Sequence, residues 1–322
     1  MRRLLATTVV IACIVSGPRC TGASQSVRPA QGGSTAGTTG TRTDPGGQLT
    51  LPNKKDSIKL LVIGDSGTGG GTQRTVATRI AAFHKLFPFT FAIMAGDNLY
   101  GSERDHDYER KFERPYKPLL DAGVKFYAAL GNHDDPAQRN YKLFNMNGER
   151  FYSFKPEKLG GVRFFALDSN YMTPDQLKWL EKELAASGSD WKIPFFHHPL
   201  YSSGGRHGSD VVLREQLEPL FIKHGVQVDV TGHEHFYERT KPQNGIVYFI
   251  TGNSAKLRKG DIERSALTAK GYDQGYTFTL FEIDGDNLHF QTISSTGSTV
   301  DSGVIQRKPA AASTKPPMKK DE

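Results

Sequence analysis

The stretch VIGDSGTGGGTQRTV, Val62 to Val76, sets the first constraint on the fold. A β-branched apolar run ends in a glycine-rich turn, and a helix-forming stretch comes next. Strand, glycine loop and helix is a common way to hold phosphate on backbone N–H groups. Two features argue against a nucleotide loop. Gly67 to Gly71 lacks the lysine of a P-loop and the third glycine of a dinucleotide fingerprint. Asp65 also puts a carboxylate at the strand end, where it repels a phosphate unless a metal ion lies between them.

Working outward, similar strands recur. Apolar runs at 58–64, 90–96, 124–131, 162–168, 191–197, 226–232 and 246–252 read as buried strands, and 276–283 with 288–293 as a hairpin around Gly285-Asp286. Helical patterns separate the earlier ones, at 73–86, 107–122, 174–186 and 211–224. Thr173 and Pro174 form a cap and first-turn pair at the start of the third. This alternation predicts an α/β layered fold.

The residues at the carboxyl end of each strand carry the chemistry. These ends read Gly64-Asp65-Ser66-Gly67, Gly96-Asp97-Asn98-Leu99-Tyr100, Gly131-Asn132-His133-Asp134, His197-His198-Pro199 and Gly232-His233-Glu234-His235. Taken singly, each has a plain structural reading: Gly-Asp is an ordinary turn, and His197 in an apolar run could be a core histidine. The repetition decides. The carboxyl ends of strands gather along one rim of an open α/β sheet, so five such ends bring Asp, Tyr, Asn and His side chains together. That set, with no cysteine, suits borderline to hard metals such as Fe, Zn or Mn. Seven ligands exceed the need of one ion. Two ions sharing a carboxylate would use them all, lower the pKa of a bound water and clamp a phosphoryl group.

Charge and composition narrow the alternatives. The net charge is +7, but residues 1–55 carry +6, residues 306–322 carry +3 and residues 56–305 carry −2. Basicity confined to low-complexity ends gives no groove for nucleic acid. Hydrophobic residues make up 37% of the chain, enough for a packed core. Met1-Arg2-Arg3 followed by the apolar run Leu4–Val15 reads as an export signal, too short to span a bilayer. Val10-Ile11-Ala12-Cys13 resembles a lipobox; lipidation and plain cleavage near Ala23 are both open. Cys13 and Cys20 are the only cysteines, so the remainder of the chain has neither an internal disulfide nor a thiolate.

The five motifs together resemble the purple acid phosphatases of the calcineurin-like metallophosphoesterase superfamily, over about residues 57–305, with the small tartrate-resistant type the nearest in pattern. The stretches QLKWLEKELAAS and GDNLYGSERDHDYERKFERPY add to the likeness. The resemblance implies a four-layer α/β/β/α sandwich of two mixed sheets flanked by helices. It implies a metallophosphoesterase domain over 56–307, which composition brackets with an expected signal peptide over 1–23, a disordered linker over 24–55 and a disordered tail over 308–322. It implies a first, ferric ion on Asp65, Tyr100 and His235. A second, divalent ion (Fe, Zn or Mn) falls on Asn132, His197 and His233, with Asp97 bridging. His133 is implied to contact the substrate phosphate or the leaving group, with His207 in a similar role; His198 lies outside the ligand pattern. Gly67 stands where most of the superfamily has a ligand histidine, and Tyr100 supplies a phenolate in its place, a hard donor suited to Fe(III).

The activity so implied is acid phosphatase, hydrolysis of phosphate monoesters by metal-activated hydroxide. A phosphodiesterase on nucleotide or phospholipid-type substrates is the alternative, and a binding module that kept the fold is the third reading. The partner expected is a small phosphate-ester substrate, and the protein is expected to be a monomer exported to the periplasm, the medium or the envelope, with membrane contact only through an N-terminal lipid.

Overall fold

Adjacent residues of β1 (Ile58–Ile63) belong to two different cores. Leu60 and Val62 face a core between two sheets; Leu61 and Ile63 face a helical layer. Successive strand side chains point to opposite faces, so a strand buried on both faces reads as an unbroken apolar run. The computed structural model describes residues 48–156 and 160–307. The expected signal, the tail over 308–322 and most of the expected linker lie outside the described residues.

The first sheet runs β13-β12-β11-β1-β2-β3. It contains β2 (Phe91–Ala95), β3 (Lys125–Ala129), β11 (Thr277–Asp284), β12 (Asn287–Ser294) and β13 (Thr299–Gln306). β1, β2 and β3 are parallel, and β11 to β13 continue antiparallel. The second sheet runs β10-β8-β9-β7-β6-β5-β4. Its strands are β4 (Tyr152–Phe154), β5 (Val162–Ala166), β6 (Trp191–Phe195), β7 (Val228–Thr231), β8 (Tyr237–Thr240), β9 (Val247–Thr251) and β10 (Thr268–Tyr272). Phe164, Ile193, Phe195, Val230 and Phe249 of this sheet pack against Leu60, Val62, Ile93 and Phe281 of the first. Outside the first sheet lie α1 (Gly71–Leu86) and α3 (Arg114–Asp121), with Val76, Ile80, Phe83 and Tyr116 buried. Outside the second lie α4 (Pro174–Ala185) and α5 (Val211–His224), with Leu180, Leu184, Leu217 and Phe221 buried. The expected layering of helix, sheet, sheet and helix is therefore present.

Three details differ from the sequence reading. The expected helix over 107–122 is divided into α2 (Asp105–Tyr108), a wide π turn over Glu109–Glu113, and α3. Pro115 and Pro118 withdraw two N–H donors there, and the widened turn accommodates the loss. The wider turn also lets the buried Lys111 reach back: its Nζ donates to the carbonyl oxygens of Tyr100, at 2.6 Å, and of Ser102.

Residues 48–55, expected within the linker, are packed on the domain. Leu51 is buried, and the backbone N–H groups of Asn53 and Lys54 donate to the carboxylate of Glu282 at 2.7 and 2.6 Å. The Ser57 hydroxyl donates to the same carboxylate at 2.7 Å. Glu282 on β11 is fully buried, and this segment satisfies its charge. Finally, β4, β8, β10 and β13 were not expected as strands.

Candidate metal centre

The turns after β1, β2, β3, β6 and β7 meet along one rim. Asp65, Asp97 and His233 all take the left-handed backbone region, at φ 53°, 52° and 67°. That conformation turns each side chain sharply out of its strand, at an energetic cost that neighbouring contacts must offset. The Asp65 N–H donates to Gly96 O at 3.1 Å, and the His233 N–H to Asp65 Oδ2 at 2.8 Å. The His133 N–H donates to Asp97 Oδ1 at 3.0 Å.

Two groups of donor atoms result. In the first, Tyr100 Oη donates to Asp65 Oδ1 at 2.8 Å and lies 3.3 Å from His235 Nε2, which is 3.4 Å from the same Asp65 oxygen. Asp97 completes that group with Asp65 and His235. In the second, His197 Nε2 lies 3.0 Å from Asn132 Oδ1, 3.2 Å from His233 Nδ1 and 3.4 Å from Asp97 Oδ1. His233 Nδ1 is 3.0 Å from Asn132 Oδ1. All seven residues expected as ligands are thus brought together, with Asp97 touching both groups.

Protonation states are set by burial. Burial, then the charge of Asp97, pushes the Asp65 carboxyl well above its ordinary range. Burial pulls His197 down, and His235 down to about 3, with Arg258 as a second cause. His233 is lowered by burial and by the neighbouring His197. Burial and Asp65 raise the Tyr100 phenol. His197 Nδ1 donates to Ala95 O at 3.0 Å, which leaves Nε2 bare and aimed at the group. Two buried carboxyl groups and three neutral imidazoles therefore face one another. Among the described residues no Lys or Arg pairs with either carboxylate. This is the donor set that a pair of borderline-to-hard cations fits, and a cation would reverse the cost of both buried charge and phenol ionisation.

The other expected residues divide. His133 is exposed beside Tyr100, ring centroids 5.0 Å apart, so its side chain borders the site from the solvent side. His207 is placed against His233, Nδ1 to Nε2 at 2.6 Å. It therefore contacts one of the donor imidazoles, where the resemblance had implied substrate contact. His198, left outside the ligand pattern, groups with His197 and His233. Its Nδ1 lies 2.9 Å from Ser169 Oγ, and burial lowers it to about 4.

The sequence reading passed over two residues that hold the site. Asp134 accepts from the N–H groups of Asn98, Leu99 and Gly131 at 3.0, 3.0 and 2.8 Å, which ties the turn after β2 to the turn after β3. Its place in Gly-Asn-His-Asp was the only signal. Glu234, fully buried between the two histidines of its motif, accepts from Gly208 N–H at 2.8 Å and so fixes the loop that carries His207. Nothing in its own triplet showed that.

The family model for calcineurin-like phosphoesterases matches residues 58–237. The chain belongs to that family, and it is a metal-dependent phosphoric ester hydrolase. Its curated relatives include purple acid phosphatase 17 of Arabidopsis thaliana, 27% identical over 68% of this chain and 75% of the relative. They also include tartrate-resistant acid phosphatase type 5 of Rattus norvegicus, 24% identical over 79% of this chain and 91% of the relative. Among solved structures, a purple acid phosphatase from Lupinus luteus seeds aligns with TM-score 0.63 and 20% identity, over 80% of this chain and 55% of that one. The Plasmodium inner-membrane-complex anchor GAP50 aligns with TM-score 0.68 and 19% identity, over 79% and 90%. These two likenesses speak to the fold.

Proposed function

We propose that the chain is an acid phosphatase acting on phosphate monoesters at a binuclear centre. Asp65, Tyr100 and His235 would hold a ferric ion, and Asn132, His197 and His233 a divalent Fe, Zn or Mn ion, with Asp97 between them. The observation that supports this most is the meeting of two buried donor groups at one shared carboxylate. Bound there, the ions would activate a water for attack at phosphorus and neutralise charge on the phosphate oxygens.

The protein's own groups do the rest. His133, exposed at the rim, is free to donate to a phosphate oxygen or to the departing alcohol. His207 holds the His233 ring through its outer nitrogen, so that His233 presents Nδ1 inward. The fold also occurs in GAP50, an anchor; the complete donor set here favours catalysis over a purely structural role.

Metal analysis with a visible spectrum tests the reading. Two ions per chain and a broad visible band are expected, together with faster turnover of p-nitrophenyl phosphate than of its bis ester. Tyr100→Phe, which keeps the ring and removes the oxygen, is expected to fold normally and lose the band. A colourless, active wild type with two divalent ions would remove the ferric assignment. Preference for the bis ester would favour phosphodiesterase action at the same centre.

A further inference from the structure

A cavity of about 410 Å³ opens beside the second donor group, lined by Asn132 and His198 and by Arg150, Ser169, Asn170 and Tyr171. That volume falls in the range of pockets for whole organic ligands, roughly 300–1,000 Å³. It exceeds the needs of a phosphoryl group held at the metal donors, so it has room for the alcohol half of an ester.

Its charges are already matched. The Arg150 guanidinium is paired with the buried Asp168. Asp210, also on the wall, accepts from Leu213 N–H at 2.9 Å and caps α5. The Asp134 carboxylate, on the same wall, is taken up by backbone N–H groups. The His198 ring is engaged on that wall, its Nδ1 lying 2.9 Å from Ser169 Oγ. A cavity so balanced gives a second phosphate or a carboxylate no unpaired cation to bind.

It does offer a flat surface. Tyr171 is 62% exposed, and the Arg150 guanidinium carbon lies 4.7 Å above its ring. The loop bearing Tyr171 is fixed to the rim of the centre. Asn170 Nδ2 donates to Leu130 O and Gly131 O at 3.3 and 3.2 Å, immediately before Asn132. Gln176 Nε2 donates to Tyr171 O at 3.2 Å. The aromatic surface therefore keeps a set position relative to Asn132.

We infer that this cavity is the leaving-group subsite and that it takes an uncharged aromatic alcohol, stacked on the Tyr171–Arg150 pair. The inference rests on the phosphate-ester reading above and adds the substrate class.

Methylphosphonate and phenylphosphonate, which carry an uncleavable P–C bond, separate the two levels when titrated calorimetrically into the metal-loaded full chain. The wild type is expected to bind the phenyl compound about tenfold more tightly, as one aromatic contact contributes. Tyr171→Ala should bring that ratio to within about twofold, and Tyr171→Phe should keep it. Equal affinities in the wild type, or a ratio that survives Tyr171→Ala, would overturn the subsite. Failure of the wild type to bind either phosphonate would instead overturn the phosphate-ester reading, and the subsite with it.

Discussion

Asp97 is the side chain on which both donor groups depend, and it is 1% exposed. Replacing it with alanine removes the carboxylate common to the two donor groups and leaves Asp65, also buried, as the one acid among them. Asp97→Ala is therefore expected to lose both ions and all activity, read by metal analysis of the purified variant; near-normal metal content would show that the donor groups do not share it. His133 makes the opposite case. Its N–H donates to Asp97 and its ring lies against that of Tyr100, but neither ring nitrogen joins a donor group. His133→Ala should keep its metal and lose roughly 10²–10⁴-fold in rate, the range of a positioned acid or base. Loss of metal would mean that His133 is itself a ligand. At this scale the sequence was most legible where the donor lies within three residues of a strand's end, as with Asp65, Asp97, Asn132 and His197. His207 and His198 were less legible because their positions depend on loop contacts, made by Glu234 and Ser169, that spacing along the chain does not encode.

Strand ends, rather than helices, set the geometry of the centre, and glycine makes their close approach possible. Gly96 sits at φ +83°, and a Cβ there would lie 2.5 Å from His197 Nδ1. The His197 ring fits only because that atom is missing, and the left-handed backbone adds strain for any other residue. Gly96→Ala is expected to destabilise the fold by more than about 1 kcal/mol in urea unfolding and to weaken the second metal site. Unchanged stability and metal content would count against so tight a contact. The central strands could be read from sequence because both of their faces are buried, which gives continuous apolar runs. The missed strands had no such signal. β4 is three residues long, β10 is half-buried, and β13 (TVDSGVIQ) mixes three apolar residues with polar ones without a period of two. Edge strands of this kind are held by their neighbours' hydrogen bonds more than by their own composition.

Across the whole molecule, the segment before β1 joins the sandwich through one acid. Glu282 is fully buried and takes its donors from Asn53, Lys54 and Ser57. Removing residues 1–47 leaves that arrangement whole, whereas removing residues 1–56 withdraws two charge-assisted bonds and the cover of Leu51. The shorter deletion is expected to melt with the full chain, and the longer one to lose at least about 2 kcal/mol, since hydrogen bonds to a charged group contribute about 1.5–3 kcal/mol each. Equal melting of both would show that the segment contributes nothing. The low-complexity composition of residues 24–47 hid this boundary, because it continues without a break to a point just short of Leu51. The two-sheet layering, by contrast, was legible in the alternation of strands and helices, and the resemblance supplied the number of layers.

The lysine in the π turn makes the Tyr100 loop observable by chemistry. Lys111 is 2% exposed, and its ammonium is occupied by two backbone oxygens and by Asp107. An amine in that state cannot reach an acylating reagent until the turn opens and the Tyr100 carbonyl lets go. Its rate of acetylation under native conditions therefore counts openings of the loop that carries the phenol. Lys259, exposed on the surface of the same protein, serves as the internal clock for an amine with nothing to release.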